Sequence, residues 1–442
     1  MGVLRGIHCS PYSKLITVIE GSVHDVIVDL REDSPTFLKW CAIVVSSENQ
    51  RQIFIPAGCG HGFLCLEDCK MLYVQGGCFD PPRELDLSPF DPTMNIIWPV
   101  IDGVSEYTMS AKDMQAPNLL NMTKFQLLPI CQVPLRRILI IGASGQVGGA
   151  LMEAFGHQNV IGTYSKVHVP GMIQFDLQDA ARDPKVAEDL ITLCQPEVVC
   201  ICAGRTWVDG CENEGEIPTL VNAVGPREVA RAAKVAGARS VYFSTDYVFS
   251  GDESDKVYDE TDPCDPQNIY GSSKLAGEQA ILTEDPDALI IRTTGVFGPE
   301  QQGKNFVYQL CNAIAQKRDI QCAVDSFGSP TYNRDLAALT VDLLEARVSG
   351  IYHCVGPETI DRYSFAVLVA QTFGLDASCI KRTDSESLYH HTLSRLGFAA
   401  RRGKHLGLSI KKVTEKLGRG PRDLASALTH WKENQRGALC TF

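Results

Sequence analysis

The stretch Arg137-Ile-Leu-Ile-Ile141 runs straight into Gly142-Ala-Ser-Gly145-Gln-Val-Gly148, where a helical pattern, GGALMEAF, begins. An apolar strand, three glycines spaced by three and a helix, in that order, leave few folds open. The glycines allow a tight turn and let the backbone approach a pyrophosphate resting on the N-terminus of the next helix. Alone, GxxGxxG also describes any glycine-rich turn. Between a strand and a helix it points to a dinucleotide site formed by Gly142, Ser144, Gly145, Gln146, Val147 and Gly148. The next apolar strand, NVIGTY, ends at Ser165 and Lys166. A carboxylate there would bind a free ribose 2′-hydroxyl, whereas a hydroxyl and a cation suit a 2′-phosphate. NADPH is therefore the expected cofactor, with NADH, or a merely solvated loop, as alternatives.

Beyond this turn apolar strands alternate with helical segments (PEVVCICAG, VARAAKVAGA, SVYFSTDYVF), the pattern of a doubly wound α/β Rossmann domain. The chain before it reads differently. KLITVIEGSVHDVIVDL holds two Val/Ile-rich runs broken at Glu20-Gly21-Ser22, which predicts a hairpin. QRQIFIPAGCGHGFLCL and CKMLYVQGGCF continue with short β-prone runs cut by Gly and Pro, so an all-β sandwich or barrel is expected there. MQAPNLLNMTKFQLLPICQVP has three prolines and no clear period. The domain plan is thus an all-β part over 1–115, a linker over 116–135 and an α/β domain over 136–436. The substrate-binding part of that domain is expected mainly in the C-terminal third.

A chain of 442 residues is too long for one ordinary core. Its 41 Lys+Arg against 53 Asp+Glu give a formal charge of −12, which provides no basic groove for nucleic acid. No apolar run has the length of a membrane span, and Gly6 stands where a myristoylation signal needs Ser or Thr. The 17 cysteines, among them Cys59, Cys65, Cys69, Cys78, Cys194, Cys200 and Cys202, form no CxxC pair. They read as free thiols in a reducing compartment rather than as disulfides or a zinc site, so a cytoplasmic location is expected.

STDYVFSGD and NIYGSSKLAGEQAI supply Thr245, Tyr270 and Lys274. If Tyr270 begins a helix, Lys274 lies one turn on along the same face, where its ammonium would lower the phenol's pKa. Such a tyrosine donates a proton to a carbonyl oxygen as hydride reaches the carbon, with Thr245 bonding the same oxygen. A lone YxxxK arises readily by chance. The order GxxGxxG, Thr-ended strand, YxxxK resembles the extended short-chain dehydrogenase/reductase superfamily. A closer resemblance, to dTDP-4-dehydrorhamnose reductase, rests on STDYVFSG, NIYGSSKLAGE, GKNFVYQL, DSFGSPTYNRDLA and AARRGKHLGLS, and covers nearly all of 136–434.

The resemblance implies NADPH-dependent reduction of the C4 ketone of a nucleotide-linked 4-keto-6-deoxy sugar by Thr245, Tyr270 and Lys274. It puts Arg401 and Arg402 near the substrate pyrophosphate, unless they are ordinary surface arginines. Asp176 and Ala203, with Tyr270 and Lys274, complete the cofactor-binding candidates. Two departures bear on specificity: Gly295 stands where the bacterial enzymes resembled carry a tryptophan lining the sugar pocket, and Gly210 where lysine is usual. The regulatory β-subunit of methionine adenosyltransferase uses the same fold without catalysis. That is the non-enzyme alternative, with methionine adenosyltransferase as partner.

In the first part, GVLRGIHCS, KLITVIEGSVHDVIVDLREDSPTFLKW, SSENQRQIFIPAGCGHGFL and MSAKD resemble dTDP-4-dehydrorhamnose 3,5-epimerase, a cupin-type jelly roll. PAGCGH fits the cupin pattern PxGxxH with His61, while GIHCS lacks the HxH pair of metal-binding cupins, so a metal-free site is expected. The resemblance implies His8 as base, Asp113 orienting it, Tyr73 as opposing acid, Lys14 stabilising an enolate, and Arg5 and His61 holding substrate. Members of that family carry a further segment ahead of GVLRG, and Tyr-Gln where this chain has Cys9-Ser10. The expectation is a truncated jelly roll, completed by a partner or inactive.

Together the halves read as a bifunctional 3,5-epimerase/4-keto-reductase making a dTDP- or UDP-linked L-rhamnose, homodimeric through its first domain. A reductase with a vestigial first domain is the nearer alternative. Fusion would raise the local concentration of the keto sugar passed between the two steps.

Overall fold

Two antiparallel sheets build the first of two compact units, Met1–Pro134, and a parallel sheet builds the second, Leu135–Phe442. The computed structural model describes all residues except 32, 33, 35, 78–83, 102, 120–136, 156–159 and 435–442, so Cys78 and most of the expected linker lie outside the described residues.

In the first unit the five-stranded sheet runs Trp40–Ser46, Ser22–Asp29, Cys59–Cys65, Leu4–Cys9, Leu85–Asp86. The three-stranded sheet runs Gln52–Ile55, Lys14–Glu20, Lys70–Gln75. The hairpin expected at Glu20-Gly21-Ser22 is not formed. Lys14–Glu20 pairs within the smaller sheet and Ser22–Asp29 within the larger, so the chain changes sheet at Gly21. Both strands are apolar on one face, and they bury those faces against each other across the sandwich. Ile16, Val18, Ile53 and Ile55 pack on Val23, Val45 and Cys65. The outer face of the larger sheet, with Leu4, Ile7, Val26, Val28 and Leu64, is covered by Leu87, Met94 and Trp98.

The second unit is doubly wound. Its seven parallel strands lie in the order Ile173–Gln174, Val160–Tyr164, Ile138–Ile141, Val198–Ile201, Arg239–Thr245, Leu289–Thr293, Gly350–His353. Ile138 and Ile140 enter the core on one face with Leu151, Leu336 and Leu343, while Leu139 and Ile141 enter the other with Leu190, Val229 and Ile281. A strand buried on both faces reads as an unbroken apolar run, as RILII does. A smaller lobe from the C-terminal third has its own core of Phe297, Leu310, Phe365, Val369 and Trp431. Among the described residues no helix is long and apolar enough to cross a membrane.

Candidate active sites

A bulge shapes the mouth of the β-sandwich. Leu4–Cys9 pairs with Cys59–Cys65 as Arg5↔Phe63 and then His8↔His61, three steps on one strand against two on the other. Gly6 takes up the extra residue at φ +107°, and a Cβ there would fall 2.6 Å from the Gly62 Cα. In a regular strand residues 5 and 8 face opposite ways; the bulge turns both to the same side. Arg5 Nε donates to Asp113 Oδ2 at 2.9 Å and His8 Nε2 lies 2.6 Å from Asp113 Oδ1. Asp113 sits in the short helix Ala111–Met114, and the Ser110 hydroxyl caps that helix and donates to Asp113 Oδ2 at 2.8 Å.

Burial works to raise the Asp113 pKa, but hydrogen bonds from Ser110 and His8 and the charges of His8 and Arg5 outweigh it and hold the carboxyl below its usual range. Burial outweighs Asp113 at His8 and draws the imidazole below its ordinary value, so it is neutral at pH 7. A second His–Asp pair lies on the neighbouring strands, His61 Nε2 to the buried Asp25 Oδ2 at 2.8 Å. Tyr73 comes from the facing sheet, its ring 6.1 Å from that of His61, and burial followed by the Asp25 charge raises its phenol well above the usual value. Lys14, 8% exposed, opens the central strand of the smaller sheet, and burial lowers its pKa against the pull of Glu84, Cys9 and Asp86.

The structure therefore gathers Arg5 and His8 on Asp113 and sets Tyr73 beside His61, the two groups joined by the His8↔His61 strand pairing. It adds Asp25, Asp86 and Ser110, which the sequence reading missed. Asp86 stands 3.8 Å from His8 Nε2 and 3.0 Å from the Lys112 ammonium. Asp25 had a signal, an acid on the inward phase of the alternating run VHDVIVD. Asp86 had none, since it meets His8 only through strand pairing.

In the α/β unit the glycine turn is built as the spacing predicts. Gly142 has φ +84°, and a Cβ there would fall 2.8 Å from the Ala203 N; one at Gly148 would fall 2.3 Å from the Gly142 O. Ser144 and Gly145 form the turn, Gln146 opens the helix Gln146–Phe155, and Val147 packs toward the core. This bare-backbone cradle at a helix N-terminus and at strand C-terminal ends fits a dinucleotide pyrophosphate. Ser165 and Lys166 are exposed just past Val160–Tyr164. Asp176 caps the helix Leu177–Arg182, accepting from the Gln178 N at 2.8 Å.

Thr245 ends its strand, and Tyr270 and Lys274 lie on one face of the helix Ile269–Glu284, whose cap Asn268 accepts from the Gly271 N at 2.8 Å. All three side chains are buried, and Thr245 hydrogen-bonds Tyr270. A Cβ on Gly204 would lie 3.9 Å from the Lys274 Nζ, which puts the lysine beside the Ala203 turn. The electrostatics differ from the expectation that Lys274 lowers the Tyr270 pKa. Burial dominates: it raises the phenol well above its usual value, only partly offset by Thr245, and draws Lys274 down to about 7. The Lys274 Nζ lies 3.9 Å from the centre of the Tyr242 ring.

Asp246 is a further buried group of this site. It accepts from Thr245 Oγ1 at 2.9 Å and from Thr294 Oγ1 at 2.6 Å, and burial raises its pKa to about 6. The Thr245 proton is thus committed to Asp246 here rather than aimed at a substrate oxygen.

The two arginines part company. Arg402 is bidentate to Asp209 at 2.9 and 2.8 Å and hydrogen-bonds Tyr247, whose ring meets Tyr270 edge-on at 5.9 Å. Arg401 points outward, its guanidinium 4.5 Å from the Tyr389 ring centre, while its carbonyl accepts from Asn268 Nδ2 at 2.8 Å.

Comparison with known proteins finds a family match over each of the two units. The family described as RmlD substrate binding domain matches residues 136–436, and the dTDP-4-dehydrorhamnose 3,5-epimerase family matches residues 1–121. The dTDP-4-dehydrorhamnose reductase of Mycobacterium tuberculosis is 35% identical over 255 residues, 56% of this chain and 79% of that protein. The spore coat polysaccharide biosynthesis protein SpsK of Bacillus subtilis is 31% identical over 306 residues, 69% of this chain and 96% of that protein. Among solved structures, the dTDP-4-dehydrorhamnose reductase of Bacillus anthracis in complex with NADP superposes with a TM-score of 0.59 at 26% identity, over 68% of this chain and 99% of that one. The chain belongs to the dTDP-4-dehydrorhamnose reductase family and carries ahead of that domain one of the dTDP-4-dehydrorhamnose 3,5-epimerase family.

Proposed function

We propose that this chain converts a dTDP- or UDP-linked 4-keto-6-deoxyglucose to the nucleotide-linked L-rhamnose in two steps, 3,5-epimerisation in the first unit and C4 reduction in the second. The observation that carries the reading is that one chain holds two acid–base sets, His8–Asp113 with Tyr73 on the facing sheet, and Thr245–Tyr270–Lys274 beside a dinucleotide cradle.

The C4 ketone acidifies the hydrogens on C3 and C5. With Nε2 engaged by Asp113, the neutral His8 imidazole presents Nδ1 as the base, and the carboxylate stabilises the imidazolium that results. Lys14 supplies positive charge for the enolate. Tyr73, its phenol held protonated by its surroundings, returns a proton to the opposite ring face.

For the second step the hydride would come from NADPH held in the α/β unit. Gly142, Ser144, Gly145, Gln146, Val147, Gly148 and Ala203 would hold its pyrophosphate and ribose, Ser165 and Lys166 its 2′-phosphate, and Asp176 the adenosine end. Tyr270, kept protonated by burial, gives its proton to the C4 oxygen. Thr245, itself bonded to Asp246, fixes the direction in which the phenol points, Lys274 brings its amine beside the Ala203 turn, and Arg402 lies toward the diphosphate.

A second copy of the chain is the proposed partner of the first unit. Phe54, Leu15 and Val74 form one cross-strand row on the outer face of the smaller sheet, and Phe54, Val74, Leu72 and Ile19 are exposed there. Sedimentation should give a dimer that Val74→Lys weakens; a wild-type monomer at all concentrations contradicts it. A cytoplasmic setting suits the proposed use of NADPH. Incubation with dTDP-4-keto-6-deoxyglucose and NADPH should yield dTDP-L-rhamnose by NMR, and recovery of unreduced sugar contradicts the reading.

A further inference from the structure

Trp207 is a large apolar side chain left open, 47% exposed, yet it is held in place. Gly210, in the short helix Val208–Cys211, is buried, and a Cβ on it would fall 2.1 Å from the indole Cε3 and 2.4 Å from Cδ2. Only a glycine there lets the ring lie across that turn. Phe398 meets the indole edge-on, with centroids 6.0 Å apart and planes at 67°. The Arg205 guanidinium lies 5.7 Å from the ring and is itself held by Glu214 at 2.6 Å.

The loops carrying the two rings are fastened to each other and to the catalytic helix. Asp209 takes the Arg402 fork and accepts from the Ala400 N at 3.0 Å, and the Arg401 carbonyl is tied to Asn268. An exposed aromatic face that is already immobilised costs little ordering when something binds on it.

The occupant follows from the depth of the site. A keto sugar must reach Tyr270, which is 9% exposed. Arg402 bridges the wall between Tyr247, next to Tyr270, and Asp209, two residues from Trp207. A sugar nucleotide laid along that wall puts the sugar innermost, the diphosphate at Arg402 and the planar base outermost, against the aromatic pair.

We propose that Trp207, backed by Phe398, is the platform on which the nucleotide base of the substrate stacks. The subsite rests on the reading of the α/β unit as a sugar-nucleotide reductase. A π-face meets any base equally well, so the platform accepts uracil and thymine alike and does not choose between UDP and dTDP.

Titrating the full-length protein with UDP and with dTDP, by calorimetry and indole fluorescence, tests this. Wild type should bind both. Trp207→Ala should weaken both by about tenfold or more and raise KM for the keto sugar far more than it lowers kcat. Trp207→Phe should restore most of the loss, and NADPH affinity should not change. Gly210→Ala, which leaves the tryptophan present but displaces it, should also weaken both nucleotides. Trp207→Ala and Phe398→Ala proteins that bind as tightly as wild type overturn the platform and leave the reductase reading standing. So does a Trp207→Ala protein that loses NADPH in proportion, since that marks a general collapse. A wild type that binds NADPH but neither nucleotide, and reduces no keto sugar, overturns the underlying reading and the subsite with it.

Discussion

The imidazole of His8 meets the carboxylate of Asp113 at 2.6 Å across 105 residues of sequence. Asp113 is in turn held by Ser110 and Arg5. An imidazole so fixed has a set tautomer and a stabilised conjugate acid, as the proposed base requires. Asp113→Asn should slow exchange of the sugar's C3 and C5 hydrogens with solvent deuterium by about 10²-fold or more. Reduction of a pre-epimerised substrate should be untouched.

The same pair sets a pH dependence. Burial places the His8 pKa below its ordinary 6.5 while Asp113 holds it up. If neutral His8 is the base, epimerisation should rise with pH and level off before the usual histidine range. In Asp113→Asn the rise should move to still lower pH, because the anion that raised the pKa is gone. A rise displaced upward in that variant contradicts the assignment.

Gly6 carries the bulge that brings Arg5 and His8 onto one face. With φ +107° and the Gly62 Cα 2.6 Å from where a Cβ would lie, Gly6→Ala cannot keep that geometry. It should abolish deuterium exchange at C3 and C5 while the keto-reductase activity persists.

In the proposed second step Tyr270, kept protonated by burial, is the proton donor to the C4 oxygen. Tyr270→Phe should lower reduction of a pre-epimerised keto sugar by about 10²–10⁴-fold and leave NADPH affinity and deuterium exchange unchanged.

Lys274 has a stability signature. Its pKa is about 7 in the folded protein against an ordinary 10.5. Between those values the unfolded chain holds more protons, so the folded state gains stability as pH rises through that window. The cost of burying the ammonium is full below about 7 and fades toward 10.5. Lys274→Met should therefore make the α/β unit a few kcal/mol more resistant to urea near pH 6, with the advantage shrinking toward pH 10. A constant difference across that range contradicts the shift.

What could be read ahead of the structure divides by range. The cradle of Gly142, Gly145 and Gly148 lies in one short window between a strand and a helix, so local pattern was enough. Tyr270 and Lys274 were likewise legible because one helical turn puts them side by side. The change of sheet at Gly21 was not, because a break between two apolar strands looks the same whether they pair or face each other. His8 with Asp113, and Asp86 with His8, meet only through tertiary pairing, and motif resemblance alone pointed to the first. The burial that governs Tyr270 and Lys274 has no local signature, and the charge argument drawn from their spacing missed its dominance.

Whether one chain performs both steps is decided by NADPH consumption with dTDP-4-keto-6-deoxyglucose as the sole sugar. Wild type should oxidise NADPH without any added enzyme, and His8→Ala should do so only when a separate 3,5-epimerase is supplied. A wild type that also waits for the added epimerase, or that oxidises no NADPH with it, would show that this chain does not carry out both steps.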